Sequence, residues 1–412
     1  MHLIDALLFL LVLSRVLGEL AARYGQPAML GEILAGILLG PSGCRVVAFT
    51  PEIKAIADLG VLLLVFLAGM EMDPRALWRS VRGRNAWVSA CGFVVPVAGG
   101  ALVGRLFGLD ATRTIFISLC VAITALPVSV RILIDLGQLH SDVGQRIVSS
   151  AIANDIASLL ALGVVLQMTA GGGSGTSILT AMALALTKAL LFMAVAAAAA
   201  RVTRRYALAR GRHPLAAIER LLRTVRSQES LFAVTLLVVM AFATFSQALG
   251  LDFVVGAFFG AMLLSHEVLG RPNFEAIQQT ASSVTVGFLG PVFFAAIGLE
   301  FDVSSLRDWR LVGAVLVVSF AGKILGGYLG GRLARLSRRE SWAIGVGLNG
   351  RGVMELVIAN IALANGFIGR QLFTSLVLMA VATTFATPVL LKRAYTRLLA
   401  GQSARSPTSV AS

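Results

Sequence analysis

Apolar runs of about 20 residues recur along the whole chain, separated by short connections that hold most of its charges. A run of this length is what an α-helix needs to cross the ~30 Å hydrocarbon core of a bilayer. Hydrophobic residues make up 57% of the 412 residues and charged residues only 14%, against about one quarter charged in soluble domains. The sequence therefore predicts an all-α polytopic membrane protein with about thirteen transmembrane helices. We place them at 3–21, 27–43, 54–71, 86–107, 113–134, 144–169, 177–200, 229–248, 251–266, 281–299, 310–331, 341–363 and 371–391.

The basic residues indicate how the chain is oriented. Its net charge is +14, which in a soluble protein would favour a nucleic-acid partner, but here Lys and Arg concentrate in alternate connections between the spans. Short loops rich in Lys and Arg stay on the cytoplasmic side. We therefore predict a cell-membrane protein that contacts lipid and not nucleic acid, with its N-terminus outside and its C-terminus in the cytoplasm.

The two halves of the chain carry similar motifs in the same order. Phe66–Asp73 (FLAGMEMD) matches Ala295–Asp302 (AAIGLEFD), and Leu30–Gly40 (LGEILAGILLG) resembles Val255–Ser265 (VGAFFGAMLLS). An odd number of predicted helices separates equivalent positions, so the halves are inserted upside down relative to each other. Inverted repeats are typical of secondary transporters; the alternative is chance similarity between glycine-rich helices.

The repeat defines the expected domain organisation. The first inverted repeat comprises helices 1–6, and helix 7 connects it to the second, which comprises helices 8–13. We predict four segments: 1–200 for the first repeat with the connector helix, 201–228 for a basic cytoplasmic linker, 229–395 for the second repeat, and 396–412 for a short cytoplasmic tail.

Two spans at corresponding places in the repeats contain helix breakers. Pro127 lies inside the fifth span, where it removes a backbone donor and clashes with the preceding turn. Thr124 and Ser129 flank it and can satisfy the freed backbone groups or bind a cation. The twelfth span contains a glycine-rich LNGRG stretch, so we predict two crossed, discontinuous helices beside an ion site, with a simple kink as the alternative. The residues assigned to the interruptions are Pro127, Asn349, Gly350, Arg351, Gly352 and Glu355.

A single carboxylate, Asp155, lies near the middle of the sixth span. A charged side chain at that depth costs several kcal/mol and indicates a functional site. Such a group can hold a proton or a monovalent cation, but not both at once. With alternating access, this competition is sufficient for ion/proton exchange and requires no enzyme chemistry. The alternative is that Asp155 is permanently paired in the core.

Two basic residues lie at useful depth in the second half. Lys323, near the middle of the eleventh span, is expected to pair with Asp155 when no cation is bound and to release it when one binds. Arg351 and Glu355 have the four-residue spacing of a same-face helical pair. We favour a structural role for this pair, holding the interrupted helix together, over direct ion binding.

Three blocks of sequence resemble a known family. AITALPVSVRILIDLGQLHSDVGQRIVSSAIANDIASLLAL, FFAAIGLEFDV and LNGRGVMELVIANIALANGFI resemble the monovalent cation:proton antiporter-2 family, and in particular its plant cation/H+ exchanger branch. The resemblance implies the sodium/proton antiporter fold, a homodimer, and a core domain that moves against a dimerisation domain. It also implies that Asp155 carries the ion and the proton, beside Asn154, with Lys323 as the basic residue facing the aspartate.

The family pattern also bears on stoichiometry and substrate. Electrogenic relatives carry two adjacent aspartates, whereas this chain has Asn154 at the first position, which points to electroneutral exchange. The branch favours K+ without excluding Na+, and we expect no cofactor beyond the transported ions. A separate cytoplasmic regulatory subunit remains open. Two other functions stay as alternatives: a channel-like potassium efflux protein, and a non-transporting membrane sensor or subunit.

Overall fold

The computed structural model describes residues 2–71, 83–124, 141–170, 228–249, 253–264 and 269–403, with single residues between 129 and 139 and between 187 and 198. Within these ranges the regular structure is entirely helical. The helices are α1 (Leu3–Arg23), α2 (Ala28–Leu39), α3 (Pro51–Glu71), α4 (Asn85–Leu106), α5 (Ala111–Ala122), α6 (Asp142–Ala170), α7 (Gln228–Ala248), α8 (Phe253–Leu263), α9 (Arg271–Val284), α10 (Gly290–Glu300), α11 (Trp309–Leu333), α12 (Arg338–Gly347), α13 (Val353–Ala364) and α14 (Arg370–Ser403). A π-helical turn, Thr285–Leu289, joins α9 to α10.

The helices agree with the predicted all-helical membrane fold but divide it differently. Every predicted span other than 177–200, which lies almost wholly outside the described residues, overlaps an observed helix. Seven helical segments of the described chain are long and apolar enough to cross a membrane. The apolar helices α2, α5, α8 and α13 have only 11 or 12 residues, or about 18 Å of helix at most.

Two helices extend beyond their predicted ends. The predicted span 281–299 starts ten residues earlier, at Arg271, and α14 runs to Ser403, into the segment 396–412 predicted as a tail. Hydropathy marks the part of a helix that lies in hydrocarbon. Polar turns at either end continue the helix without changing that signal, so the sequence underestimates both lengths.

The helices form two compact units, each assembled from both halves of the chain. The first unit comprises Met1–Leu11, Phe49–Pro74 and Leu159–Ala296, and the second comprises Val12–Ala48, Arg75–Ser158 and Ile297–Ser412.

Small residues allow close helix contacts at equivalent places in the two units. In the second unit, a Cβ on Gly31 of α2 would overlap the carbonyl of Leu17 in α1; in the first unit, a Cβ on Gly256 of α8 would overlap the carbonyl of Phe242 in α7. The same number of residues separates the members of each pair. Close approach at small residues is a common way for membrane helices to pack.

A second pair of equivalent glycines also lies against backbone carbonyls of neighbouring helices, one in each unit. In the first unit, Gly69 of α3 lies against the carbonyl of Phe258 in α8. In the second unit, Gly298 of α10 lies against the carbonyl of Ile33 in α2. Gly69 and Gly298 occupy the same place in the Gly-apolar-Glu-apolar-Asp motifs.

Helix α11 is held against α4 by a glycine face, and this contact positions the site. Gly326 lies against the carbonyl of Cys91, and Gly330 against that of Trp87. The backbones are therefore close, and Lys323, which lies on the same side of α11, is fully buried.

Candidate functional site

Helix α5 ends abruptly at Ala122, well before the end of the predicted span. Ile123 has extended backbone angles, φ −69° and ψ 149°, and Thr124 follows outside any helix. The last three carbonyls of α5, those of residues 120–122, therefore lack intrahelical partners and carry the partial negative charge of a helix C-terminus. Pro127, predicted to cause the interruption, lies outside the described residues.

The twelfth predicted span is interrupted over 348–352, between α12 and α13. All five residues of this stretch are buried. Helix α14 holds it from the side: the amide of Asn349 donates to the hydroxyl of Thr387 at 3.4 Å, and the hydroxyl of Thr384 donates to the carbonyl of Arg351 at 2.9 Å. Gly350 and Gly352 lie within this segment, as predicted for an unwound stretch.

Two buried cations cap the broken end of α5. The guanidinium of Arg351 donates to the carbonyls of Cys120 and Val121, the latter at 2.6 Å, and the ammonium of Lys323 donates to the carbonyl of Ala122. Positive charge at a helix C-terminus complements its dipole. The second half of the chain thus neutralises the broken helix of the first half, a relationship that no local sequence pattern revealed.

The Lys323 ammonium uses all its donors on the protein. Besides Ala122 it donates to the hydroxyl of Thr124 at 2.7 Å and to the carbonyl of Gly92 in α4 at 3.1 Å. Both Lys323 and Asp155 are described, and the structure has no ion pair between them within 4.0 Å, although their charges interact through space. The expected direct pair is therefore replaced, in this conformation, by capping of α5.

Asp155 and Asn154 are buried in the middle of α6, with 3% and 1% of their surface exposed. One carboxylate oxygen of Asp155 and the amide nitrogen of Asn154 have no hydrogen-bond partner within the described part of the chain. A Cβ on Gly92 would lie 3.6 Å from that amide nitrogen and 3.1 Å from Leu348. Gly92 thus adjoins Asn154, the Lys323 ammonium and the start of the interruption. An unsatisfied buried carboxylate is costly, and a proton or a cation would remove that cost.

Arg351 and Glu355 form an ion pair of 3.5 Å and are both fully buried. Both oxygens of Glu355 and Nε of Arg351 lack a hydrogen bond among the residues described. The pair keeps the start of α13 electrically neutral, and the same guanidinium also caps α5.

Ser129 makes a contact that spacing alone did not indicate. Its hydroxyl donates to the carbonyl of Gly347, the last residue of α12, at 2.8 Å. Ser129 and Thr124 thus both bond to groups at or near the interruptions. Each of these hydroxyls is engaged with the protein in this conformation.

Comparison with known proteins places the chain in a family. Residues 7–394 match the model for the transmembrane sodium/hydrogen exchanger family. The chain is 28% identical over 389 residues to the probable Na(+)/H(+) antiporter GerT of Bacillus cereus, covering 94% of this chain and 98% of the relative. It is 31% identical over 411 residues to cation/H(+) antiporter 20 of Arabidopsis thaliana, covering 92% of this chain and 46% of that protein.

The fold agrees with a solved structure. The sodium proton antiporter MjNhaP1 of Methanocaldococcus jannaschii matches with a TM-score of 0.73 at 16% identity, covering 97% of this chain and 99% of the other. The chain belongs to the sodium/hydrogen exchanger family. The prediction of a monovalent cation:proton antiporter family from the sequence is confirmed.

Proposed function

We propose that the protein is a secondary active antiporter that exchanges K+ or Na+ for H+, with the two ions competing for Asp155. The observation that carries the proposal is the buried Asp155 carboxylate, one oxygen of which has no hydrogen-bond partner among the described residues. The names of the relatives point the same way, and one of them, GerN of Bacillus cereus, is a Na(+)/H(+)-K(+) antiporter that is 28% identical to this chain.

The neighbouring charges support a single exchangeable site. Lys323 is balanced by the C-terminal carbonyl of α5 that it caps, and Arg351 by Glu355 and two further carbonyls. Asp155 is left as the carboxylate whose charge an incoming ion must neutralise. Because one proton then replaces one monovalent cation, the exchange is electroneutral.

The glycine contacts support an inverted repeat. Gly31 corresponds to Gly256, and Gly69 to Gly298, in the motif alignment of the two halves, and each pair packs against carbonyls at equivalent positions. Two six-helix repeats with crossed discontinuous helices, thirteen helices in all, account for these contacts and for the matching interruptions of α5 and of α12–α13. We therefore also propose that the two repeats exchange conformations, which opens the site alternately to the two sides of the membrane.

We place the protein in the cell membrane with its N-terminus outside and its C-terminus in the cytoplasm, because Lys and Arg concentrate in the connections that this orientation puts inside. We also propose a homodimer, by resemblance to the family. A separate regulatory subunit is compatible with it, and no cofactor beyond the transported ions is needed.

Transport by purified protein in liposomes tests the exchange. A pH-sensitive dye inside the vesicles reports proton movement when K+, Na+, Li+ or Rb+ is added outside. Asp155→Asn should abolish the cation-driven signal. Asp110→Asn is the matched control, because Asp110 is an exposed N-cap and Asn caps helices equally well. Exchange retained by Asp155→Asn would exclude this site. Cation flux without proton movement in the unaltered protein would favour the channel-like alternative.

A further inference from the structure

An apolar groove with a volume of about 820 Å³ runs along one side of α11. Its walls are seven side chains of α11 between Leu316 and Tyr328, together with Trp342 of α12. The α11 wall extends over the twelve residue steps from Leu316 to Tyr328, or about 18 Å at the rise of an α-helix. This length is close to the ~15 Å half-thickness of the hydrocarbon core, so the groove is long enough for one acyl chain.

The walls of the groove are fixed by backbone contact. A Cβ on Gly345 of α12 would overlap the carbonyl of Ile324 in α11, and a Cβ on Gly327 would lie against the backbone of Gly345. The two helices are therefore already in backbone contact and cannot move closer together. The groove is a preformed feature of the seam between α11 and α12.

A basic turn adjoins the end of the groove at which Tyr328 and Trp342 lie. Within three turns of helix from these residues the α11–α12 connection carries four arginines, all of them exposed: Arg332, Arg335, Arg338 and Arg339. Its acidic residue, Glu340, is already engaged, because its carboxylate accepts a hydrogen bond of 2.8 Å from the backbone N–H of Ser337 in a capping box.

Two of these arginines lie where a bound anion is favoured. Arg338 and Arg339 are the first two residues of α12, where positive side chains oppose the helix dipole. A helix N-terminus favours bound phosphate, and phosphate would compensate both the arginines and the dipole. Exposed Arg residues beside a membrane surface attract anionic lipid by about 1 kcal/mol each.

We propose that the groove and the basic turn together bind one anionic phospholipid. The phosphate lies against the basic turn, and an acyl chain fills the groove towards Leu316. Tyr328 and Trp342 flank the headgroup end, where amphipathic aromatic rings are enriched in membrane proteins. The lipid bridges α11, which carries Lys323, to α12, which ends at the 348–352 interruption. This site does not depend on the proposed antiport.

Binding to the delipidated full chain in detergent tests the proposal. Phosphatidylglycerol and phosphatidylcholine with identical acyl chains are titrated separately, and bound lipid is measured by native mass spectrometry. The unaltered protein should prefer phosphatidylglycerol. Arg338→Gln/Arg339→Gln should weaken phosphatidylglycerol binding by about tenfold or more and phosphatidylcholine binding by less, so that the preference for phosphatidylglycerol narrows. Arg307→Gln/Arg310→Gln is the matched control, because it removes the same charge from exposed residues at the other end of α11.

A second variant separates the groove from the charges. Ala321→Trp fills the groove without altering the basic turn, and it should weaken phosphatidylglycerol binding while the melting temperature of the lipid-free protein stays within a few degrees. Equal affinity of the unaltered protein for the two lipids would overturn the proposal. So would wild-type phosphatidylglycerol binding by either the double Arg variant or Ala321→Trp, or competition by free glycerol phosphate at the lipid's own concentration.

Discussion

Lys323 of α11 donates a hydrogen bond of 2.7 Å to the hydroxyl of Thr124, just beyond the end of α5. The same ammonium donates to the carbonyl of Ala122, the last residue of that helix. A lysine from the second half of the sequence therefore fixes the interrupted helix of the first half. If Asp155 is the ion site we propose, Lys323 is placed to couple the geometry of the interruption to the charge of that carboxylate.

Removing Lys323 should affect both stability and the pH profile. In Lys323→Ala the buried carbonyl of Ala122 loses a charged donor, at a cost of about 1–3 kcal/mol, so the melting temperature in detergent should fall. Loss of a nearby positive charge also disfavours ionised Asp155, so the half-maximal pH of exchange should move to higher pH. Lys323→Gln retains donors without the charge. It should recover part of the stability but keep the shifted pH profile, and an unchanged profile in both variants would contradict the coupling.

Removing one member of the Arg351–Glu355 pair should lower the melting temperature more than removing both. Glu355→Gln leaves a buried guanidinium without its compensating carboxylate, a change that typically costs about 3–5 kcal/mol. Arg351→Gln/Glu355→Gln removes both charges but also uncaps the carbonyls of Cys120 and Val121. The double variant should therefore melt above the Glu355→Gln single variant but below the unaltered protein. Equal melting temperatures for the single variant and the unaltered protein would show that the pair has no structural role.

The charge count at the site predicts a gain of voltage sensitivity. Asn154→Asp places a second carboxylate beside Asp155, so that more protons than cations can be exchanged in one cycle. Exchange of Na+ for H+ in liposomes should then respond to an imposed membrane potential, whereas the unaltered protein should not. Asn154→Ser, which adds no charge, is the control. A voltage response in the unaltered protein would contradict electroneutral exchange.

The equivalent glycine contacts predict paired folding defects. Gly31→Ala and Gly256→Ala each force a Cβ into a backbone carbonyl of the neighbouring helix. Both should reduce the yield of monodisperse protein severely. Gly313→Ala is the control, since a Cβ at Gly313 of α11 meets nothing within 4 Å among the described atoms. A tolerated substitution at only one of the two equivalent positions would argue against repeat-related packing.

The hydropathy of the chain was sufficient to predict an all-helical membrane fold. The glycines around Asn349 are a separate local signal, and they predicted the interruption at 348–352. Hydropathy did not predict the polar extension of α14 to Ser403 or the early start of the helix at Arg271. Those turns are helical but polar, so they do not lengthen the apolar run from which the span was predicted.

The sequence predicted only one of the partners of the buried charges. Arg351 and Glu355 lie four residues apart, so their pairing has a helical spacing to indicate it. The carbonyls capped by Arg351 and Lys323 are backbone groups about 200 residues away, present at every position and without a side-chain signature. The sequence therefore predicts Asp155, near the middle of the sixth span, as the partner of Lys323. In this conformation its ammonium donates to Ala122 at the end of α5, to Thr124 and to Gly92.

If a cation and a proton compete for Asp155, cation binding must release a proton, and that release can be measured. K+ or Na+ is added to purified protein in weakly buffered detergent solution at several pH values, with choline as the inert control. Competition at Asp155 predicts release of up to about one proton per chain, an apparent cation affinity that falls as the pH is lowered, and no release from Asp155→Asn. Cation binding that displaces no proton from the unaltered protein, or displacement that persists in Asp155→Asn, would contradict it.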